Sequence, residues 1–253
     1  MKAGQYSLGV VSVSFRDASP QRILEAAAAA GLSCVEWGSD VHAPAGDRER
    51  LDGIAALQRR FGIVCSSYGT YFRLGETSLS ELPDYIAAAR LLGTDVLRLW
   101  CGSKSGADLT EDEWAGLLAE CRRAARIAEA EGVTLCTECH MRTVTERPAD
   151  AVRLMEEVAS PAFRTYWQPF QWQSAEENLE NAGMLAPYTE HIHVFHWKGS
   201  ARLPLADAIP EWRAYLEAFK PPRTLLLEFM PDGRLESLPA EAAALRTIAG
   251  EIR

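Results

Sequence analysis

Two glutamates and a histidine pair, each at or near the end of a short apolar run, are the residues best suited to do chemistry. Glu138 closes Val-Thr-Leu-Cys-Thr-Glu, Glu228 closes Thr-Leu-Leu-Leu-Glu, and His191 and His193 alternate along His-Ile-His-Val. A single glutamate in such a place is explained as readily by a salt bridge to a neighbouring strand. Two carboxylates brought together away from water need a cation or a shared proton. With an imidazole and one further amide or carboxylate oxygen they form a donor set for one divalent metal ion such as Mn²⁺, Mg²⁺, Co²⁺ or Zn²⁺. His191 and His193 fall on one strand face at different heights, so one of them is expected to reach the glutamates. His196 has the opposite phase unless the strand has ended before it, and a solvated or satisfied histidine is its plain reading.

The elements that must hold these residues are visible as a repeat. Four times a helix-forming stretch ends in glycine and passes at once into an apolar run, at Gly31, Gly62, Gly93 and Gly132. A glycine there suits the left-handed turn that follows a helix. Two further apolar runs, Arg164 to Gln168 and Thr224 to Phe229, follow turns marked by Ser-Pro and by Pro221-Pro222, and Ser7 to Ser14 and His191 to Trp197 complete about eight strand candidates. Alternation of helix and apolar strand calls for a parallel sheet covered by helices, and about eight units over residues 1–253 predict an α/β fold, a single (β/α)8 TIM barrel. A doubly wound open sheet fits less well, because no G-x-G-x-x-G or phosphate-binding loop follows the first strand, where Ser19 instead reads as a helix N-cap. No linker, low-complexity tract or second domain interrupts the pattern.

In such a barrel the chemistry belongs at the C-terminal strand ends. Following each run to where it turns polar gives Glu36, Trp37, Asp40 and His42 after the second strand, and Ser66, Ser67 and Tyr68 on the third. The fourth supplies Arg98, Trp100 and Cys101, the fifth Glu138 and His140, and the sixth Gln168 and Gln171. His191, His193, His196 and Lys198 belong to the seventh and its loop, and Glu228 to the eighth. His42, Tyr68, Arg98, Trp100, His140, Gln171, His196 and Lys198 are candidate substrate contacts. Trp37, Tyr68, Trp100, Trp167 and Trp172 offer flat apolar walls to a bound ligand, although aromatics at strand ends often only pack. Glu36 reads as a structural or supporting residue.

Composition removes other classes. With 26 Lys plus Arg against 35 Asp plus Glu, the net charge is −9 and no basic stripe is present, so nucleic acid is not the expected partner. No apolar run approaches a membrane span, and residues Met1 to Gln5 lead into a strand-like segment without a signal-peptide core, so a cytoplasmic protein is expected. The six cysteines read as buried thiols. Cys136 and Cys139 form the one CxxC, but residues three apart on a strand face opposite ways and cannot share a metal.

The joint order of E-x-H at the fifth strand end, x-H-x-H-V on the seventh and apolar-apolar-Glu on the eighth resembles the xylose isomerase-like barrels, the sugar phosphate isomerase/epimerase group. The resemblance covers essentially the whole chain. It implies one divalent metal held by residues of strands five to eight: Glu138, Gln168, His193 and Glu228. It also implies a small carbohydrate substrate and proton transfer through an enediolate between catalytic Glu138 and Glu228. Gln168 stands where the family usually has Asp, with Gln171 three residues on, so the site keeps two negative ligands instead of three. Either the metal is held more loosely, or Gln168 contacts only substrate, or this branch works without metal. A sugar-acid dehydratase or lyase would use the same ligands, and a non-catalytic carbohydrate-binding barrel, with or without self-association into a homo-oligomer, is the reading outside enzymes. The endonuclease IV-like barrels, by contrast, take additional histidines from the third and fourth strand ends, which here read Ser-Ser-Tyr-Gly and Arg-Leu-Trp-Cys-Gly.

Overall fold

A computed structural model describes residues 6–219 and 223–250; the expected leader-free start at Met1 to Gln5 and the Pro221-Pro222 turn lie outside them. In chain order the barrel strands are β1 (Ser7–Val11), β2 (Cys34–Gly38), β3 (Val64–Leu74), β4 (Val96–Cys101), β5 (Thr134–Glu138), β6 (Phe163–Trp167) and β7 (Thr189–Val194). A two-stranded hairpin, β8 (Trp197–Lys198) and β9 (Ala201–Arg202), precedes the last barrel strand, β10 (Thr224–Leu227). Among the described residues, eight α-helices alternate with the barrel strands: α1 (Pro20–Ala29), α2 (Arg48–Phe61), α3 (Leu82–Leu92), α4 (Glu111–Glu131), α5 (Pro148–Val158), α6 (Ala175–Leu185), α7 (Ile209–Glu217) and α8 (Leu238–Ile248). The strands close in the order β1-β10-β7-β6-β5-β4-β3-β2, each neighbour parallel. This is the (β/α)8 barrel that the alternation demands.

The helix boundaries follow local chemistry. Ser19 accepts from the backbone N–H of Arg22 at the start of α1, and Thr110 with Glu113 and Ser174 with Glu177 form reciprocal caps on α4 and α6. Gly62, Gly93 and Gly132 occupy the left-handed region at the ends of α2, α3 and α4, a conformation without penalty only for a residue lacking Cβ.

Strand parity divides the side chains between two cores. Val11, Cys34, Val96, Cys136, Tyr166 and Leu226 form a small cluster inside the barrel, while residues one position away, such as Leu97, Leu135, Trp167 and Leu225, join the large layer between strands and helices. Gly9 makes the lower interior layer possible: a Cβ there would meet Cys34 Sγ at 2.5 Å and Leu226 Cδ2 at 2.9 Å. Cys136 belongs to the inner cluster and Cys139 to the outer one, so the CxxC sulfurs face apart.

Candidate metal centre and active site

Counting two residues up from the apolar interior layer leads directly to the polar site. Cys34 is followed on the same face by Glu36, Val96 by Arg98 and Trp100, Cys136 by Glu138, Tyr166 by Gln168, and Leu226 by Glu228; His193 stands above His191 in the same way. The register of parallel neighbours sets these side chains into a ring across the barrel.

At its centre, one ligand atom from each of Glu138, His193 and Glu228 lies within 4.8 Å of the others. His193 Nδ1 is 3.3 Å from Glu228 Oε2, 3.7 Å from Glu138 Oε1 and 3.0 Å from Gln168 Oε1. The Gln168 amide is oriented by its own N–H, which donates to the Cys139 carbonyl at 3.0 Å and so turns the oxygen toward His193. His191, the lower member of the pair, instead contacts the Ser66 carbonyl at 3.1 Å beneath this level.

A second charged layer supports the first. Arg98 donates through Nε to Glu36 Oε1 at 2.8 Å and through Nη1 to Glu138 Oε2, and Trp100 Nε1 donates to the same Glu138 oxygen at 2.7 Å. Ser67 donates to Glu36 Oε2 at 2.8 Å. Gly69 leaves room for the pair, since a Cβ there would meet Arg98 Nη2 at 2.7 Å and Glu36 Oε1 at 2.9 Å. Burial pushes the Glu138 carboxyl up, but Arg98 and His193 outweigh it and hold the group at about 2. Burial likewise opposes ionisation of Glu36, and Arg98 and His193 carry it well below the ordinary carboxylate range. Burial disfavours the charged imidazole of His193, yet Glu228, Glu138 and Glu36 raise its proton affinity well above the usual histidine value.

The donor set fits a divalent cation. By formal charge, Glu36, Glu138 and Glu228 face Arg98 and a protonated His193, an excess of one negative charge, and this becomes two once His193 gives up its proton to a cation. Glu228 Oε2 is buried and makes no hydrogen bond; the His193 imidazole at 3.3 Å answers it while protonated, and a cation would have to do so once that proton is gone. Gln168 Oε1, Glu228 Oε2 and Glu138 Oε1 lie 3.0, 3.3 and 3.7 Å from His193 Nδ1.

Above these atoms opens a cavity of about 400 Å³, whose lining includes Arg98, Trp100, His140, Gln168 and Gln171. Trp100 forms one wall, with Tyr71 edge-on at 5.1 Å, His140 at 5.3 Å and the Arg73 guanidinium 4.7 Å from its ring.

Four of the expected substrate contacts do not line this cavity. Tyr68 is one residue out of phase with inward Ser67, so it enters the outer core and donates to the Ala43 carbonyl at 2.5 Å. His42 is buried against Trp37, with Nε2 3.1 Å from the Ala18 carbonyl. β7 has ended before His196, and the chain turns into the hairpin, so His196 Nδ1 contacts the Pro204 carbonyl at 3.0 Å and Lys198 pairs with Glu211 at 3.7 Å. Both face a neighbouring cavity against α7. Of the suggested aromatic walls, Trp37 and Trp167 also face the outer core, and Trp172 is exposed beside that second cavity. Arg16, Tyr71 and Phe229 line the main cavity without having been singled out. Tyr71 was hidden because β3 runs on to Leu74, well past the polar residues that marked its end.

The family model described as xylose isomerase-like TIM barrel matches residues 24–246. No curated protein sequence matches the chain. Among solved structures, the probable 3-DHS dehydratase of petrobactin synthesis from Bacillus anthracis is similar with a TM-score of 0.76 at 16% identity, covering 94% of this chain and 98% of that one. D-psicose 3-epimerase with D-tagatose from Clostridium cellulolyticum H10 gives 0.71 at 14% identity, over 96% and 98%. A xylose isomerase-like TIM barrel protein from Mycobacterium smegmatis in complex with magnesium gives 0.70 at 13%, over 99% and 97%. At such identities these likenesses show the fold alone.

Proposed function

The chain belongs to the xylose isomerase-like TIM barrel family, and from that premise we propose that it is a metal-dependent isomerase or epimerase of a small carbohydrate. The observation that carries the reading is the convergence of Glu138, His193 and Glu228, whose ligand atoms lie within 4.8 Å of one another, with Gln168 Oε1 3.0 Å from His193 Nδ1. These four residues would hold the cation, which supplies Lewis-acid polarisation of a carbonyl and its neighbouring hydroxyl.

The two glutamates are not equivalent. Arg98 and Trp100 both bind Oε2 of Glu138, so this carboxylate stays ionised and only its Oε1 faces the cavity. Glu228 would meet the cation through Oε2, and its second carboxylate oxygen is left to take a proton from the carbon beside the carbonyl, leaving an enediolate. Return of that proton by Glu228 to the neighbouring carbon gives aldose–ketose isomerisation. Epimerisation instead needs a proton on the opposite face of the first carbon: Glu138, ionised in the resting site by Arg98, would first have to take one from a substrate hydroxyl or solvent, and Glu228 would release the proton it abstracted to solvent. Trp100 offers the ring a flat wall, and His140 and Gln171 can orient hydroxyls.

The experiment is carbon–hydrogen exchange in D₂O, followed by NMR, with Mn²⁺-loaded and chelator-treated protein and a panel of ketoses and aldoses. Exchange that needs metal and disappears in Glu228→Gln is expected. No exchange on any sugar by loaded wild-type protein would favour a carbohydrate-binding barrel. The likeness to a probable dehydratase motivates a second reading in which the same enediolate expels a β-hydroxyl as water; an unsaturated product would distinguish it.

A further inference from the structure

Beside the metal centre lies a second cavity, of about 390 Å³, formed by the loop after β1, the hairpin β8–β9 and the loop after β10. Four guanidinium groups line it, from Arg16, Arg22, Arg202 and Arg234, against two carboxylates, Asp17 and Glu236. The chain as a whole carries −9, so this positive concentration runs against the average field of the molecule.

Two of the arginines are already engaged: Arg16 with Asp40 and the Tyr71 hydroxyl, and Arg234 with Glu236 at 3.4 Å. Among the described residues, Arg22 and Arg202 have no carboxylate partner. Arg202 is held in another way, with its guanidinium carbon 5.0 Å from the Trp197 ring and 5.0 Å from the Phe229 ring. Stacking on aromatic faces fixes the plane of a guanidinium and leaves its N–H donors free. Gly233 lines the cavity at φ +70°, a left-handed conformation that favours glycine, and lies near Arg202 Nη1.

The cavity adjoins the one above the metal centre. Val13, Arg16 and Phe229 line both, and Phe229 directly follows Glu228. Phe229 adopts φ +58°, a left-handed conformation that is costly for a bulky residue and is retained where surrounding contacts impose it. Here that turn aims Glu228 into one cavity while the Phe229 ring supports Arg202 beside the other.

We propose that this arginine-lined cavity binds an oxyanion, phosphate or carboxylate, at the far end of the substrate whose reacting carbons lie at Glu138 and Glu228. The substrate class is then a sugar phosphate or a sugar acid. Planar, bidentate recognition by guanidinium suits either group. The inference rests on the isomerase or epimerase reading for its second half, but the anion site itself does not.

Calorimetric titration of inorganic phosphate, and separately of acetate, into the Mn²⁺-loaded protein tests the site directly. Binding should weaken at least tenfold in Arg202→Met and in Arg22→Met, persist in Glu228→Gln, and recover in part in Arg202→Lys. Tighter binding of phosphate assigns a sugar phosphate, and tighter binding of acetate a sugar acid. In D₂O exchange, the ratio of kcat/KM for fructose 6-phosphate or 5-keto-gluconate to that for fructose should fall at least tenfold in Arg202→Met. Failure of wild-type protein to bind either anion, or binding unchanged in both arginine variants, would overturn the anion site even if neutral sugars exchange. Arginine-dependent anion binding without exchange on any sugar would leave the site standing and overturn the catalytic reading.

Discussion

Replacement of Arg98 by methionine gives the sharpest test of the charge arrangement. Arg98 is buried between Glu36 and Glu138, and Met fills a similar length without charge. Glu138 is held at about 2, against an ordinary value of 4.5. At about 1.4 kcal/mol per pH unit the difference corresponds to ~3 kcal/mol of stabilisation at neutral pH. Breaking a buried pair from one side costs roughly 3–5 kcal/mol in other proteins, the same range. The sign follows from the depressed value: the contribution is fully present above about 4.5 and is lost as pH falls through about 2. In Arg98→Met the buried carboxylates lose their guanidinium, so their protonation becomes easier and acid relieves the penalty. Urea denaturation of chelator-treated protein, followed by tryptophan fluorescence, should show a loss of ~3 kcal/mol at pH 7 that holds down to about pH 4.5 and narrows below it, toward pH 2 to 3. Glu36→Gln placed on the same background should cost less than it does alone. A loss below about 1 kcal/mol at pH 7, or one independent of pH, would refute the view that Arg98 is what holds these carboxylates ionised.

Other consequences are as direct. Gln168→Asp adds a formal negative charge to the ring and should tighten Mn²⁺ at least tenfold, about 1.4 kcal/mol, by isothermal titration of stripped protein; no tightening would count against Gln168 as a ligand. Because the surrounding carboxylates raise the proton affinity of His193, cation binding should displace a proton from Nδ1, so Mn²⁺ affinity should rise with pH. Titrations at pH 6 in buffers of different ionisation enthalpy should report about one proton released, and none released would contradict His193 as a ligand. Trp167→Ala, which empties a site between Trp212, Tyr215 and Phe219, should cost about 3–5 kcal/mol in denaturation while leaving Mn²⁺ affinity within twofold; a large loss of metal binding in a folded variant would show that the outer core and the centre are not independent.

Much of this architecture is written locally. Glycines after helices, apolar runs of strand length and their strict alternation are enough to require a helix-covered parallel barrel, because each signal concerns backbone conformation or burial over a few residues. The same locality carries Glu138, His193 and Glu228 to strand ends. Strand parity, also local, would have set aside Trp37, Tyr68 and Trp167, each one position away from an inward-facing Glu36, Ser67 or Gln168. What no local signal contains is the pairing of groups distant in sequence. Arg98 meets Glu36 across 62 positions and Glu138 across 40, which depends on the register of the four strands β2 to β5. The Gln168 oxygen faces the centre because its N–H finds the Cys139 carbonyl 29 residues away. The hairpin after β7 carries His196 and Lys198 away from the mouth and brings Arg202 toward Arg22. Closure of the barrel fixes these meetings: the residue types come from the sequence, but the charges that face one another, and hence the proton affinities of the site, exist only once the first and last strands have joined.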